Sequence, residues 1–185
     1  MKKSLLADRF DSQFVLIDVQ DKLCSVMPQL ALQAVLKNCS ILLQAAKLLS
    51  VPALCTEQYP KGLGATLPEL AQWLPSSARV EKTCFSCCEE SSFSDLLDDT
   101  RNQMVLAGME AHICVLQTAM QLLDMGRQVI VVEDAVLSRN PQNHANAMSR
   151  LRHAGVVVSN TESVVFEWLK VAEGDAFKQI ARLIR

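Results

Sequence analysis

The sequence contains no apolar run of membrane-spanning length, so a transmembrane helix is not expected. Its opening, MKKSLLADRFDSQ, has two lysines but only Leu5, Leu6 and Ala7 before Asp8. That is too little for the apolar core of a secretory signal, so a cytoplasmic protein is expected. There is no basic excess either: 18 Lys and Arg against 20 Asp and Glu leave a net charge of −2. Such a balance gives nucleic acid nothing to bind, and no nucleic-acid or membrane partner is expected. No repeat, low-complexity tract or linker divides the 185 residues, which read as one domain, 1–185, able to bury a substantial core. The 3 histidines, His112, His144 and His153, do not stand at metal-ligand spacing. Cysteine is plentiful, but 7 is an odd number scattered through a chain expected to stay inside the cell. A disulfide framework is therefore not expected, and most of these thiols read as small buried hydrophobes.

What is present is an alternation. Short β-rich runs occur at FVLIDV (14–19), VPALCT (51–56), ARVEKT (78–83), QMVLAG (103–108), RQVIVVEDA (127–135) and VVVSN (156–160). Between them lie stretches of helical period at 26–49, 111–125 and 140–155, with two more at 161–170 and 174–184 and a short helix at 91–100. Pro141 near the start and Gly155 just past the end bracket the 140–155 helix. EQYPKGLGATLPEL (57–70) reads as a loop. Continuous Val/Ile/Leu strands are covered on both faces. The alternation predicts an α/β fold: a single-domain, doubly wound, three-layer architecture on a six-stranded parallel sheet.

In such sheets ligands bind beyond the carboxyl ends of the strands, where strand order reverses. Asp18 ends the first strand, Lys82 the third, and Cys114 falls in the helix start after the fourth. Singly, each has an ordinary explanation: a capping aspartate, a surface lysine, a packing cysteine. Together they place a base, a cation and a nucleophile on one edge. A helix start offers unpaired N–H groups and the positive end of the helix dipole, both of which favour a thiolate. Asp18 can take the thiol proton, Lys82 can hold both anions, and the same turn can supply oxyanion donors. Gln20, Leu23, Tyr59 and Phe85, each just past a predicted strand end, are candidate pocket residues. Gly108 either lets the strand pass close to a helix or serves the nucleophile turn. His112 reads as a helix-start residue.

FVLIDVQ (14–20), VEKTCFS (80–86) and LAGMEAHICVLQTAMQL (106–122) resemble the three signature segments of the isochorismatase-like cysteine hydrolases. They stand in that family's order and separations over nearly the whole chain. The resemblance implies a catalytic triad of Asp18, Lys82 and Cys114. It also implies a cis peptide joining Met109 and Glu110, and an oxyanion hole made by the Glu110 and Cys114 amides. Dimers or larger homo-oligomers are likewise implied. Two departures narrow the chemistry. Nicotinamidases of the family bind a metal through an Asp-x-His pattern and further histidines after strand two, where this chain reads CTEQYPKGLGATLPEL. Neither metal nor cofactor is expected. Isochorismatases proper lack the cysteine and act on a vinyl ether, whereas Cys114 favours carbonyl chemistry. TEQYPKGLG (56–64) resembles the small isochorismatase-domain-containing hydrolases.

The implied reaction is hydrolysis of a small-molecule amide or related C–N bond through a thioester. Two alternatives stay open. Cys84 and Cys87 form a C-x-x-C with Cys88 adjacent, the pattern of a thiol redox pair, although EESSFSD after it reads as a turn and a new cap. No second C-x-x-C exists to complete a zinc site. The other alternative is a non-catalytic binding scaffold of the same fold.

Overall fold

In the computed structural model, Phe14, Val15, Leu16 and Ile17 form the middle of the sheet, and the strand that holds them is buried along its whole length. The structure describes residues 5–184; the Lys2–Lys3 pair of the opening segment lies outside them. In chain order the elements are β1 (Ser12–Ile17), α1 (Asp21–Cys24), α2 (Gln29–Leu48), β2 (Ala53–Gln58), α3 (Pro60–Leu63) and α4 (Pro68–Ala71). There follow β3 (Arg79–Lys82), α5 (Ser91–Ser94), β4 (Gln103–Met109), a π-helical turn (Ala111–Val115) and α6 (Leu116–Asp124). The remainder is β5 (Gln128–Leu137), α7 (Pro141–Ala154), β6 (Val157–Ser159), α8 (Thr161–Leu169) and α9 (Gly174–Ile184).

The six strands run β3-β2-β1-β4-β5-β6, and every pairing is parallel. Strand order reverses between β1 and β4, which makes their carboxyl ends the crevice of the fold. Side chains alternate across the strands. Phe14 and Leu16 pack with Leu42 of α2 and Trp168 of α8 on one face, and Val15 and Ile17 pack with Leu122 of α6 and Leu151 of α7 on the other. The result is a three-layer α/β fold. α7 opens with Pro141 after Asn140, whose side chain accepts from the Gln142 N–H, and closes on Gly155 at φ 94°. Among the described residues no helix is long and apolar enough to cross a membrane.

Three differences from the sequence reading have local causes. The 91–100 helix stops at Ser94, because buried Gln13 of β1 seizes the backbone on either side of Leu97. Its amide donates to the Leu96 carbonyl at 2.8 Å and accepts from the Asp98 N–H at 2.9 Å. The Asp98 carboxylate then accepts from the Thr100 N–H and hydroxyl, the kind of local bond that competes with a helix. The 57–70 loop is more ordered than its composition implies: β2 continues to Gln58, and Pro60 and Pro68 each start a helical turn. Gly108, at φ 119°, gives clearance to a strand and not to a helix. A Cβ there would stand 2.0 Å from the Ile17 carbonyl oxygen of β1.

Candidate active site

β1 ends at Ile17, and the next residue turns sharply: Asp18 takes φ 50°, a left-handed conformation that non-glycine residues seldom adopt. Its carboxylate has no solvent exposure and is held from two sides. Lys82 Nζ, at the end of β3, donates to Oδ2 at 2.8 Å, and the Thr56 hydroxyl of β2 donates to Oδ1 at 2.6 Å. Lys82 is equally enclosed and spends its other hydrogens on Gln58 Oε1 at 2.7 Å and the carbonyls of Cys84 and Phe85 at 3.3 and 3.2 Å. Burial alone would pull the Lys82 pKa down, but the Asp18 carboxylate beside it favours the ammonium form, and the pKa is raised.

Cys114 lies in the π-helical turn between β4 and α6 and is 6% exposed. Its thiol lies close enough to the Asp18 carboxylate to feel its charge, so the structure brings Asp18, Lys82 and Cys114 into one buried cluster. The charge state differs from the thiolate that a helix start favours. Burial first, and the Asp18 carboxylate next, push the thiol well above its ordinary range; Lys82 opposes them. The resting arrangement is a thiol beside a carboxylate, ready for proton transfer, and not a preformed thiolate. The Met109–Glu110 peptide preceding this turn is cis.

The Glu110 side chain is buried and salt-bridged. It accepts from the Arg139 backbone N–H at 2.9 Å and from Nε at 3.2 Å, and Arg139 Nη2 lies 3.1 Å from Oε1. His112 stands beside it, with Nδ1 2.9 Å from the Ser138 hydroxyl and Nε2 3.2 Å from the Asn143 amide nitrogen. A cavity of about 270 Å³ reaches Glu110, His112 and Arg139, and another of about 310 Å³ reaches Lys82 and Tyr59.

The four pocket candidates separate. Tyr59 and Phe85 are exposed at the crevice, at 53% and 56%. Gln20 and Leu23 are packing residues. The Gln20 amide is saturated by backbone, donating to the Gln58 and Gly64 carbonyls and accepting from the Gln58 N–H, so it staples the 57–66 segment to β1. Leu23 is half-buried and packs against the core cluster. Three contributors escaped the sequence reading. Thr56 and Gln58 touch the ion pair, and Arg139 neutralises Glu110. Gln58 ends β2, Thr56 lies two residues before that end, and Arg139 lies two beyond the end of β5, all near the strand ends that singled out the triad.

The C-x-x-C does not present two matched thiols. Cys84 is partly exposed, while Cys87 is fully buried, with Sγ 3.8 Å from the Thr56 hydroxyl and its N–H donating to Thr118 Oγ1 at 2.9 Å. Burial, then the Asp18 charge, push the Cys87 thiol up to about 12. Among the described residues no group of three or more His, Cys, Asp or Glu is placed to hold a metal.

The model of the isochorismatase domain matches residues 12–163, which span all six strands and the start of the helix after the sixth. The chain belongs to the isochorismatase family. Isochorismatase domain-containing protein 2 of Danio rerio is 40% identical over 176 residues, covering 94% of this chain and 86% of that protein. Among solved structures, the MAR1 ribonuclease of Caenorhabditis elegans is 33% identical, with a TM-score of 0.88 over 97% of this chain and 92% of that one. The YcaC protein of Escherichia coli, described as an octameric hydrolase of unknown specificity, has a TM-score of 0.90 at 23% identity, covering 100% of this chain and 91% of that one. The isochorismatase-like hydrolase fold of this chain therefore rests on sequence and structure alike.

Proposed function

We propose that this isochorismatase-family chain is a metal-independent cysteine hydrolase that cleaves the C–N bond of a small-molecule amide. The observation that carries the reading is one buried cluster in which Cys114 lies within the field of a carboxylate that is itself paired to Lys82 at 2.8 Å. A nucleophile, a base and an orienting cation in one water-poor cluster are what acyl transfer to sulfur requires.

Asp18 takes the Cys114 proton as Sγ attacks the amide carbon, which lets a thiol with a raised pKa react without a standing thiolate. Lys82 keeps the carboxylate oriented and balances the charge that moves between Asp18 and sulfur. The backbone amides of Glu110 and Cys114 are assigned to the tetrahedral oxyanion. As the C–N bond breaks, Asp18 returns the proton to the departing amine. Water, deprotonated by Asp18, then cleaves the thioester to release the acid and restore the thiol. Tyr59 and Phe85 border the entrance. The reading includes a homo-oligomer, for which the octameric YcaC is the structural precedent. A chain with net charge −2 gives no support to a ribonuclease reading by analogy with MAR1.

The test is a panel of small primary amides assayed for ammonia release, with intact-mass spectrometry to trap the acyl-enzyme. The wild type is expected to turn over at least one amide and to gain the acyl mass on the peptide containing Cys114, and Cys114→Ala to do neither. Undiminished ammonia release by Cys114→Ala would sink the reading.

A further inference from the structure

At the opposite end of the sheet from the triad, Trp73 stands in the segment after α4. Its indole Nε1 is the one buried side-chain nitrogen or oxygen among the described residues that lacks a hydrogen-bond partner. A buried indole N–H ordinarily finds an acceptor, because burial has removed the one that water supplied. Trp73 is also the wall shared by two cavities. One, of about 650 Å³, opens between α2 and α9 and is lined by Gln44, Lys47, Leu48, Arg182 and Leu183 as well as Trp73. The other, of about 510 Å³, shares Lys47 and Trp73 and runs to the turn ahead of β2. Both lie in the range of roughly 300–1,000 Å³ usual for small-molecule sites.

The lining is electrically one-sided. It has two cations and no carboxylate, in a chain whose overall charge is −2. Among the described residues no ion pair joins Lys47 or Arg182 to an acidic side chain. Lys47 lies instead over the Trp73 ring, 5.5 Å from its centroid. Apolar walls and two cations without a carboxylate partner share one recess, and the residue that walls it, Trp73, carries an unused buried donor.

We propose that this recess binds a small amphiphilic carboxylate. Its apolar body rests on Leu48, Leu183 and the Trp73 ring, and its carboxylate pairs with Lys47 and Arg182 and accepts from the indole N–H. The site is separate from the triad and independent of the reaction proposed there.

Sodium octanoate is the probe, titrated into the full chain and followed by tryptophan emission and calorimetry. The chain has two tryptophans, and Trp168 is fully buried with its indole bonded to Ser12 at 2.9 Å, so an emission change reports Trp73. Saturable one-to-one binding is expected, at least tenfold weaker for 1-octanol and for the Lys47→Met, Arg182→Met double variant. Trp73→Phe, which keeps a ring and loses the N–H, is expected to bind several-fold more weakly. The alkylation rate of Cys114 is expected to stay unchanged throughout. The exposed Arg182→Gln carries the same test if the double variant does not fold. Failure to saturate, equal affinity for octanol, or undiminished binding by the cation variants overturns the proposal. So does dissociation of an oligomer by Arg182→Gln alone, which would assign the recess to a second copy of the chain.

Discussion

Replacing Lys82 by Met keeps the length of the side chain and removes its charge from the most enclosed ion pair in the molecule. Lys82 and Asp18 side chains are both 0% exposed. The variant leaves the Asp18 carboxylate with the Thr56 hydroxyl and the thiol of Cys114, and strips the ammonium donor from Gln58 Oε1 and two carbonyls. Removing one partner of a buried pair costs about 3–5 kcal/mol, because the other charge stays buried without compensation. For a domain of this size each kcal/mol corresponds to about 2–4 °C, so the melting temperature is expected to fall by roughly 6–20 °C at pH 8. The sign of the pH dependence follows from the unpaired carboxylate. Without a cation the buried carboxylate is the less compensated the more fully it is charged, so the penalty is expected to be larger at pH 8 than at pH 5.5. The Asp18→Asn, Lys82→Met double variant lacks the stranded charge and is expected to recover about 2 kcal/mol or more of the loss. Urea titrations of the three proteins at pH 5.5 and pH 8 supply the numbers. A loss below about 1 kcal/mol, or a double variant no more stable than the single one, would refute the account of a buried pair that holds its carboxylate ionised.

The raised Cys114 pKa predicts that iodoacetamide labels it slowly at pH 7, with a rate still climbing above the free-thiol value of about 8.5. Because the Asp18 charge is one of the causes of that shift, Asp18→Asn should alkylate faster at pH 8 while losing turnover; slower alkylation would mean that the carboxylate does not oppose the thiolate. Thr56→Val removes the 2.6 Å bond to Asp18 and should cost about 1.5–3 kcal/mol, as bonds to charged groups do, together with a fall of roughly tenfold in amide turnover, both read from one preparation by melting and ammonia assay. Gly108→Ala drives a methyl group into the Ile17 carbonyl, one residue from Asp18, and should cost on the order of 3 kcal/mol or more; a variant with wild-type melting and activity would show that β1 yields there.

The sheet was legible because its strands are Val/Ile/Leu runs that only a doubly covered sheet explains, and their ends pointed to Asp18, Lys82 and Cys114. What surrounds those residues was less legible. Thr56 and Gln58 straddle a strand end that composition locates only to within two residues, and Gln58 was read as loop. Arg139 was hidden because β5 runs to Leu137. Between Leu106 and Gly108 of β4 the register shifts from Val131 to Val136, so β5 absorbs extra residues that make its end look earlier. The stop at Ser94 depends on Gln13, a residue 81 positions away from it in a strand with no local sign of the contact (94 less 13). The charge state of Cys114 was misjudged because a helix start is a local feature, whereas burial and the Asp18 carboxylate are products of the whole fold.

Lys82 reaches Asp18 across the end of an intervening strand. β2 lies between β1 and β3, and its Thr56 and Gln58 complete the pair's hydrogen bonds. Parallel neighbours cannot join through a tight turn, so each pairing waits for a crossover. The ion pair spans 64 residues of chain, and Cys114 comes later still. No hairpin or helix pair can therefore hold a partial version of the site. The reactive cluster forms only when four strands have docked in register. Catalytic competence thus becomes a readout of sheet completion, expected to vanish when any one of these four strands undocks, the short edge strand β3 included.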